Sequence, residues 1–441
     1  MPATRNIGRL WSLLSVYRKL GLSFLLSSRV EVKYVYFPHF RLSKTKAVRK
    51  VGIKWQDIIS MSGGDSAVID VVQWISGVTL DVVGQAIFDI DLGLFEGEER
   101  HPLAEAYANT FFKEFSAPKP DSAKSLVLAF CLVERLPKAI IRLVVNHSPA
   151  PRFAQIQYSG QVIGQITKKM LNERYDSLGS GRDGKDIVSL LVKANTSTDE
   201  KMRLNESEVQ SFMNGLLFAG HETSANTLSW IIYELVRCQH RLRAEIPVTL
   251  AARGRDLSTS DLDAMPYLGA VIKEALRYHP IAYHNVRIST RDDVIPLSKP
   301  ITTASGKVLN ELPIAKGTYI ISSAVAYNRN KDIFGPDADL YHPDRWLKAK
   351  PKTRSDAPSI GLIGNLFTFG GGPQSCIGWR FAVHEMQVLL IELMDNFEFY
   401  PTDVIPRIRR EACRVMVPTI EGEVQKGAQM PIRVKVASRN A

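Results

Sequence analysis

Apolar residues recur every three or four positions through much of the chain, the spacing that lines one face of a helix. Over residues 53–112 this pattern predicts helix, most densely in Val68-Ile-Asp-Val-Val-Gln-Trp-Ile-Ser-Gly-Val-Thr-Leu-Asp-Val-Val-Gly-Gln-Ala86, which has so many apolar positions that it must be mostly core. Further helices are predicted at 126–146 and 152–176, followed by a Ser/Gly/Asp-rich loop at 177–183. Glu206-Ser-Glu208 opens a run over 209–238 that is very long for a globular helix, and Pro266 opens another that ends near His279. From 286 to 323 the character changes, with β-rich stretches such as Gly317-Thr-Tyr-Ile-Ile-Ser-Ser323 set between Pro and Gly turns. Near the C-terminus, 414–420 and 430–436 alternate apolar and polar residues as half-buried strands do. A mainly α fold with a minor β region follows, without internal repeats.

Composition narrows this picture little. With 441 residues, 45% of them hydrophobic, the chain can bury a large core, and no Gly/Ser/Pro-rich linker divides it, so one large domain is expected. The net charge of +11 is spread along the chain without basic tracts interleaved with aromatics, which disfavours nucleic acid. A basic surface suits an anionic membrane and an acidic protein partner equally. Cys131, Cys238, Cys376 and Cys413 form no CxxC pair, so neither a disulfide framework nor a structural zinc site is signalled. Arg18 and Lys19 interrupt the apolar stretch over 10–26, leaving no run long enough to span a membrane. That stretch reads as a frayed terminal helix, or as a segment lying on a membrane surface with Trp11, Leu14 and Tyr17 buried.

The densest chemical signal is Phe369-Gly-Gly-Gly-Pro-Gln-Ser-Cys-Ile-Gly378, in which five of ten residues are Gly or Pro. Glycines let the chain fold tightly and bring backbone N–H groups to Cys376, donors that favour an anionic sulfur. Ala382, Met386, Leu389, Leu390, Leu393 and Phe397 mark one helical face beginning at Trp379, so Cys376 stands just before a helix N-terminus, whose dipole also favours thiolate. A thiolate held this way is a strongly donating ligand for haem iron. A buried, inert thiol is the ordinary fate of a lone cysteine, and a phosphate-binding loop is the other rival, but Pro373, Gln374 and Ser375 stand where that loop needs a Lys-Ser/Thr pair.

Within the long helix sits Ala219-Gly-His-Glu-Thr223, with Phe212, Leu216, Ala219, Thr223 and Thr227 on roughly one face. Gly220 costs about 1 kcal/mol relative to Ala in a helix interior, so it implies close approach to something, or a locally widened helix with room for dioxygen. Thr223 can bond bound dioxygen and Glu222 can relay protons, against the plainer alternative of a Thr bonded to its own helix and a solvated Glu. His221-Glu222 lacks the second histidine of a zinc HExxH motif, because position 225 is Ala. Glu274 and Arg277, three apart, can face each other across one turn, which alone is the commonplace of a solvated surface pair; Pro343-Asp-Arg-Trp346 supplies another Arg downstream, and a buried Glu274–Arg277–Arg345 cluster is the alternative.

Taken in order, Ala219-Gly-His-Glu-Thr223, Glu274-Ala-Leu-Arg277, Pro343-Asp-Arg-Trp346 and the Cys376 loop resemble the cytochrome P450 family. Thr79-Leu-Asp-Val-Val-Gly84 and Phe88-Asp-Ile-Asp-Leu-Gly93 are similar to early helices of its eukaryotic microsomal members, and the resemblance runs from about Trp55 to the C-terminus. It implies a cytochrome P450-like fold over 50–441, after an atypical N-terminal segment over 1–49. It implies haem b with Cys376 as the axial iron ligand, Phe369, Gly372, Gly378, Gly220 and Arg287 around the cofactor, and Arg287 on a propionate. Glu222 and Thr223 would serve oxygen activation, while Glu274, Arg277 and Arg345 hold the fold.

The implied reaction inserts one oxygen atom from dioxygen into an organic, apolar small molecule. Electrons come from NADPH through a cytochrome P450 reductase that docks on a basic face. The implied location is the cytosolic face of the endoplasmic reticulum, with peripheral membrane contact.

Two departures bear on this. Gln374 stands where the family's signature usually has Arg, and neither Trp11 nor Trp55 has an Arg four positions later, so two cationic propionate partners are missing and weakened haem binding is expected. The start of the chain reads as truncated or replaced. A remnant that binds haem poorly, and a haem-thiolate isomerase or peroxygenase, are the competing functions.

Overall fold

The computed structural model describes residues 46–95, 102–107, 137, 140, 151–179, 189, 206–347, 360–413 and 415–438. Most of the segment over 1–49, nearly all of the helix predicted at 126–146, Cys131, and the 180–183 end of the predicted loop lie outside these. Helix α1 (Lys46–Met61), strand β1 (Ser66–Asp70), α2 (Val71–Phe88), α3 (Pro102–Tyr107) and α4 (Pro151–Gly179) lead to the central α5 (Glu206–Cys238). After it come α6 (His240–Arg253), α7 (Thr259–Asp263) and α8 (Pro266–Tyr278). The β-rich region holds β2 (His284–Ile288), β3 (Asp293–Thr302), β4 (Val308–Ile314) and β5 (Tyr319–Ser323), then the short α9 (Ala324–Asn328) and α10 (Lys331–Phe334). Helix α11 (Trp379–Asn396) precedes β6 (Phe397–Tyr400), β7 (Ile408–Ala412), β8 (Met416–Ile420) and β9 (Pro431–Val436).

The first departure from the sequence pattern falls at Val68 and Ile69, which belong to a strand. Gly63 turns the chain at φ +73°, and β1 then pairs antiparallel with β9, Val68 opposite Arg433 and Ile69 opposite Ile432. Ladder bonds to a distant strand outcompete a local helical turn. The joint is pinned from the same side, since the Met430 N–H donates to Asp70 Oδ1 at 2.8 Å and the Val71 N–H donates to the Met430 carbonyl at 3.1 Å. Helix α2 therefore starts at Val71. The remaining strands form β1-β9-β6 and the pairs β2-β5, β3-β4 and β7-β8, all antiparallel.

One buried apolar cluster runs from Ala47 to Val434 and joins helices and sheet. Trp55 of α1 is wholly buried in it against Phe397 and Phe399 of β6, ring centroids 5.5 and 6.4 Å apart. Helix α5 packs on α2, α4, α8 and α11, which explains why so few of its residues from Glu222 to Leu235 reach solvent. Among the described residues, α2 alone is long and apolar enough to cross a membrane, yet 72% of it is buried inside the protein, as a core helix is.

Candidate functional site

The loop before α11 is folded by its glycines. Gly370 and Gly372 sit at φ +71° and +70°, a left-handed conformation that side chains disfavour. The turn lets the Cys376 N–H donate to the Phe369 carbonyl at 2.8 Å, and Ser375 N–H to the Gly372 carbonyl at 3.1 Å. Gly378 caps α11, so Cys376 stands three residues before the first helical residue.

Cys376 is exposed, unlike Cys238 and Cys413, yet its surroundings are dense enough that burial pushes its thiol pKa up. A side chain added at Gly372 or Gly378 would meet nothing within 4 Å, so the backbone flanking the thiol borders open space. The Gly378 N–H favours the thiolate, as the loop's sequence implies, but burial is the larger influence. A metal cation coordinated by the sulfur would favour the thiolate against that burial. These residues fit a haem iron: an accessible sulfur with N–H support, and open space beside Gly372 and Gly378.

Strand β2 borders the loop. The Asn285 amide nitrogen lies 4.0 Å from where a Cβ on Gly370 would stand, and Arg287, two residues on, projects from the same face of the strand. Arg287 is exposed and donates to the Val286 carbonyl at 2.8 Å, leaving most of its guanidinium available to an anion. Gln374 is exposed as well.

Helix α5 lies behind α11, where Glu385 faces Ser224. Its middle is buried except for a stripe in which Ala219 is exposed and Thr223 half-buried. The Thr223 hydroxyl donates to the Ala219 carbonyl at 2.8 Å, the back-bond a helical threonine makes by default. Glu222 points elsewhere. It is buried against α2, where the Ser76 hydroxyl donates to its Oε2 at 3.4 Å, and burial pushes its pKa up to about 7. Gly220 also faces α2: an added Cβ would stand 3.0 Å from Val83 Cγ2. The close approach that Gly220 permits is to a neighbouring helix, and the helix is not locally widened there.

Glu274, Arg277 and Arg345 meet. Arg277 donates twice to Glu274, Arg345 Nε donates to Glu274 Oε1 at 3.0 Å, and Trp346 Nε1 and the His342 N–H complete five bonds to one carboxylate. Arg277 also donates to the carbonyls of Asn328, Ala338 and Leu340, and Arg345 to Asp337. These ties fasten α8 to the loops that lead toward Cys376.

Sequence reasoning passed over Glu385, nine positions after Cys376. It is buried with neither oxygen in a hydrogen bond of ordinary geometry, and burial holds its pKa well above the carboxylate range. The available signal was an acid among the apolar positions of α11 (Ala382, Met386, Leu389).

Comparison with known proteins adds an independent finding. The family model described as "Cytochrome P450" matches residues 33–425. The chain is 32% identical over 400 residues to cytochrome P450 monooxygenase 212 of Postia placenta, covering 87% of this chain and 71% of that one. It is 30% identical over 397 residues to cytochrome P450 monooxygenase claQ of Ampulloclitocybe clavipes, covering 88% and 70%. A cytochrome P450 crystal structure superposes with TM-score 0.64 at 19% identity over 90% of this chain and 78% of that one, a likeness of fold.

Proposed function

The chain belongs to the cytochrome P450 family, and from that premise we propose that it inserts one oxygen atom from O2 into an apolar organic molecule, with Cys376 as iron ligand. The observation that carries this reading is the accessible Cys376 thiol, set in a glycine-turned loop and bordered by open space. Its electrons come from NADPH through a reductase that docks on a basic face; the net charge of +11 supports attraction to an acidic partner. Residues 50–441 act as one haem-binding domain, in keeping with the continuous core from Ala47 to Val434. The protein works at the cytosolic face of the endoplasmic reticulum.

Haem bound there supplies dioxygen reduction and oxygen-atom transfer. The chain's own groups hold it and manage protons. Cys376 Sγ ligates, with the Gly378 N–H stabilising its charge. Arg287 would pair with a propionate, while Phe369, Gly372 and Gly378 would border the cofactor. The Thr223 hydroxyl, now bonded to the Ala219 carbonyl, would be the donor nearest the accessible stripe, and Glu222, whose burial raises its pKa to about 7, can hold and release a proton near neutral pH.

A second reading, weakened haem binding, is favoured by the neutral and exposed Gln374. The carbon monoxide complex of the reduced protein tests both. The red-shifted Soret band of thiolate ligation is the expected result, and its absence would overturn the monooxygenase reading. Product formation that depends on NADPH and reductase then separates a monooxygenase from an isomerase or peroxygenase.

A further inference from the structure

His221 sits beside Glu222 in the middle of α5, wholly buried, and the family motif assigns it no task. Its Nδ1 lies 2.7 Å from the Leu217 carbonyl. A carbonyl only accepts, so Nδ1 carries the ring hydrogen, and in the neutral ring Nε2 is left as an acceptor. Burial keeps the ring neutral by lowering its pKa to about 4. That acceptor nitrogen lies 3.5 Å from Glu222 Oε2, the same oxygen that the Ser76 hydroxyl approaches to 3.4 Å from α2.

We propose that His221 is a positioning residue for Glu222: its Nε2 accepts a hydrogen bond from the protonated Oε2 while Ser76 donates to that oxygen, parking the acid against α2. The inference rests on the reading that Glu222 supplies protons to this site, and adds where the proton is stored. The chemistry of the three groups is mutually consistent. A neutral imidazole nitrogen is a good acceptor for a carboxylic O–H, and a hydroxyl is a good donor to the oxygen left with a free lone pair. The distances are long for such bonds, so the hold is loose and the carboxyl is free to swing away. The neighbouring face of the motif, Ala219 and Thr223, is the accessible one, so delivery requires that rotation. Two further contacts keep the backbone still while it occurs: the Thr79 hydroxyl donates to the His221 carbonyl at 3.2 Å, and the Asn226 amide donates to the Glu222 carbonyl at 2.8 Å.

Infrared spectroscopy of the purified holoprotein reads the arrangement without turnover. A protonated carboxyl C=O band that disappears in Glu222→Gln is expected, and it should move to higher frequency in His221→Phe, where the proton has lost its acceptor. Ser76→Ala should move it less. Nitrogen NMR of the histidines in the unaltered protein, which needs no variant to fold, should find His221 protonated on Nδ1 and bare on Nε2. A band that ignores His221→Phe, or a ring protonated on Nε2, overturns the proposal. Turnover that survives Glu222→Gln overturns instead the reading of Glu222 as proton source, so the two failures are distinguishable.

Discussion

Arg277 closes a two-toothed fork onto Glu274, one helical turn earlier on α8: Nε reaches Oε2 at 2.9 Å and Nη2 reaches Oε1 at 2.7 Å. Both side chains are shut off from solvent. A pair in this setting is held less by mutual attraction than by the satisfaction of every remaining donor, because each ion alone would carry its desolvation cost.

Removing one partner should therefore cost far more than a surface ion pair. Glu274→Ala strands Arg277, Arg345 and the Trp346 N–H together, and a loss of about 3–5 kcal/mol is expected in chemical denaturation. Arg277→Lys should also destabilise, since an ammonium cannot serve the fork and three carbonyls at once. A loss below about 1 kcal/mol in both variants would show the cluster to be dispensable.

Cys376→Ala should separate ligation from folding. The residue is exposed and lies in a loop, so stability of the polypeptide is expected to change by less than about 1 kcal/mol while the thiolate Soret signature disappears. Circular dichroism melting and the carbon monoxide spectrum, taken on the same preparation, check both halves.

Gln374→Arg restores a cation beside the cysteine loop. A charge-assisted bond in place of a neutral one is worth about 1.4 kcal/mol or more, so haem should dissociate to an apo-globin acceptor roughly tenfold more slowly. Equal release rates would mean that position 374 does not touch the cofactor.

Gly220 and Val83 should behave as a coupled pair. Gly220→Ala gains about 1 kcal/mol of helix propensity but sets its Cβ 3.0 Å from Val83 Cγ2, so little net change is expected. Gly220→Leu should lose about 1–3 kcal/mol by overpacking, and Val83→Ala in the same chain should recover part of it. Additive effects in the double variant would deny the contact.

The stabilising contribution of two buried acids should fall as pH rises toward neutrality. Burial raises the carboxyl pKa of Glu222, and of Glu234, from 4.5 to about 7, so between these values the folded state binds more protons than the unfolded one. Their contribution is complete below about 4.5, is lost as pH climbs through about 7, and is flat beyond it. Each of Glu222→Gln and Glu234→Gln should flatten part of this slope in pH-dependent melting curves; an unchanged slope would place both acids in water.

Local signals were legible along the chain. The apolar period marked α5 as Glu206–Cys238 and α8 as Pro266–Tyr278 within a few residues, because a helix is built from near neighbours and its period shows in any stretch. The glycine-rich run around Cys376 was legible for the same reason: a tight turn needs particular residues at particular places. Where pairing is distant the pattern misled or stayed silent. Val68 and Ile69 read as helix and became strand because β9 lies more than 360 residues away, and β6 and β7 went unseen.

The sequence by itself determined the fold class, the family and the order of its motifs, since these rest on periodicity and on residues adjacent in the chain. Only the tertiary structure decided what each motif residue faces. It turned Gly220 toward Val83, set Glu222 against Ser76 rather than beside Thr223's accessible stripe, and buried Glu385 facing Ser224. It also opened Cys376 to space while surrounding it closely enough to raise its pKa. Direction and burial depend on which other segments arrive, and helical spacing fixes an angle around one axis without saying what lies along it.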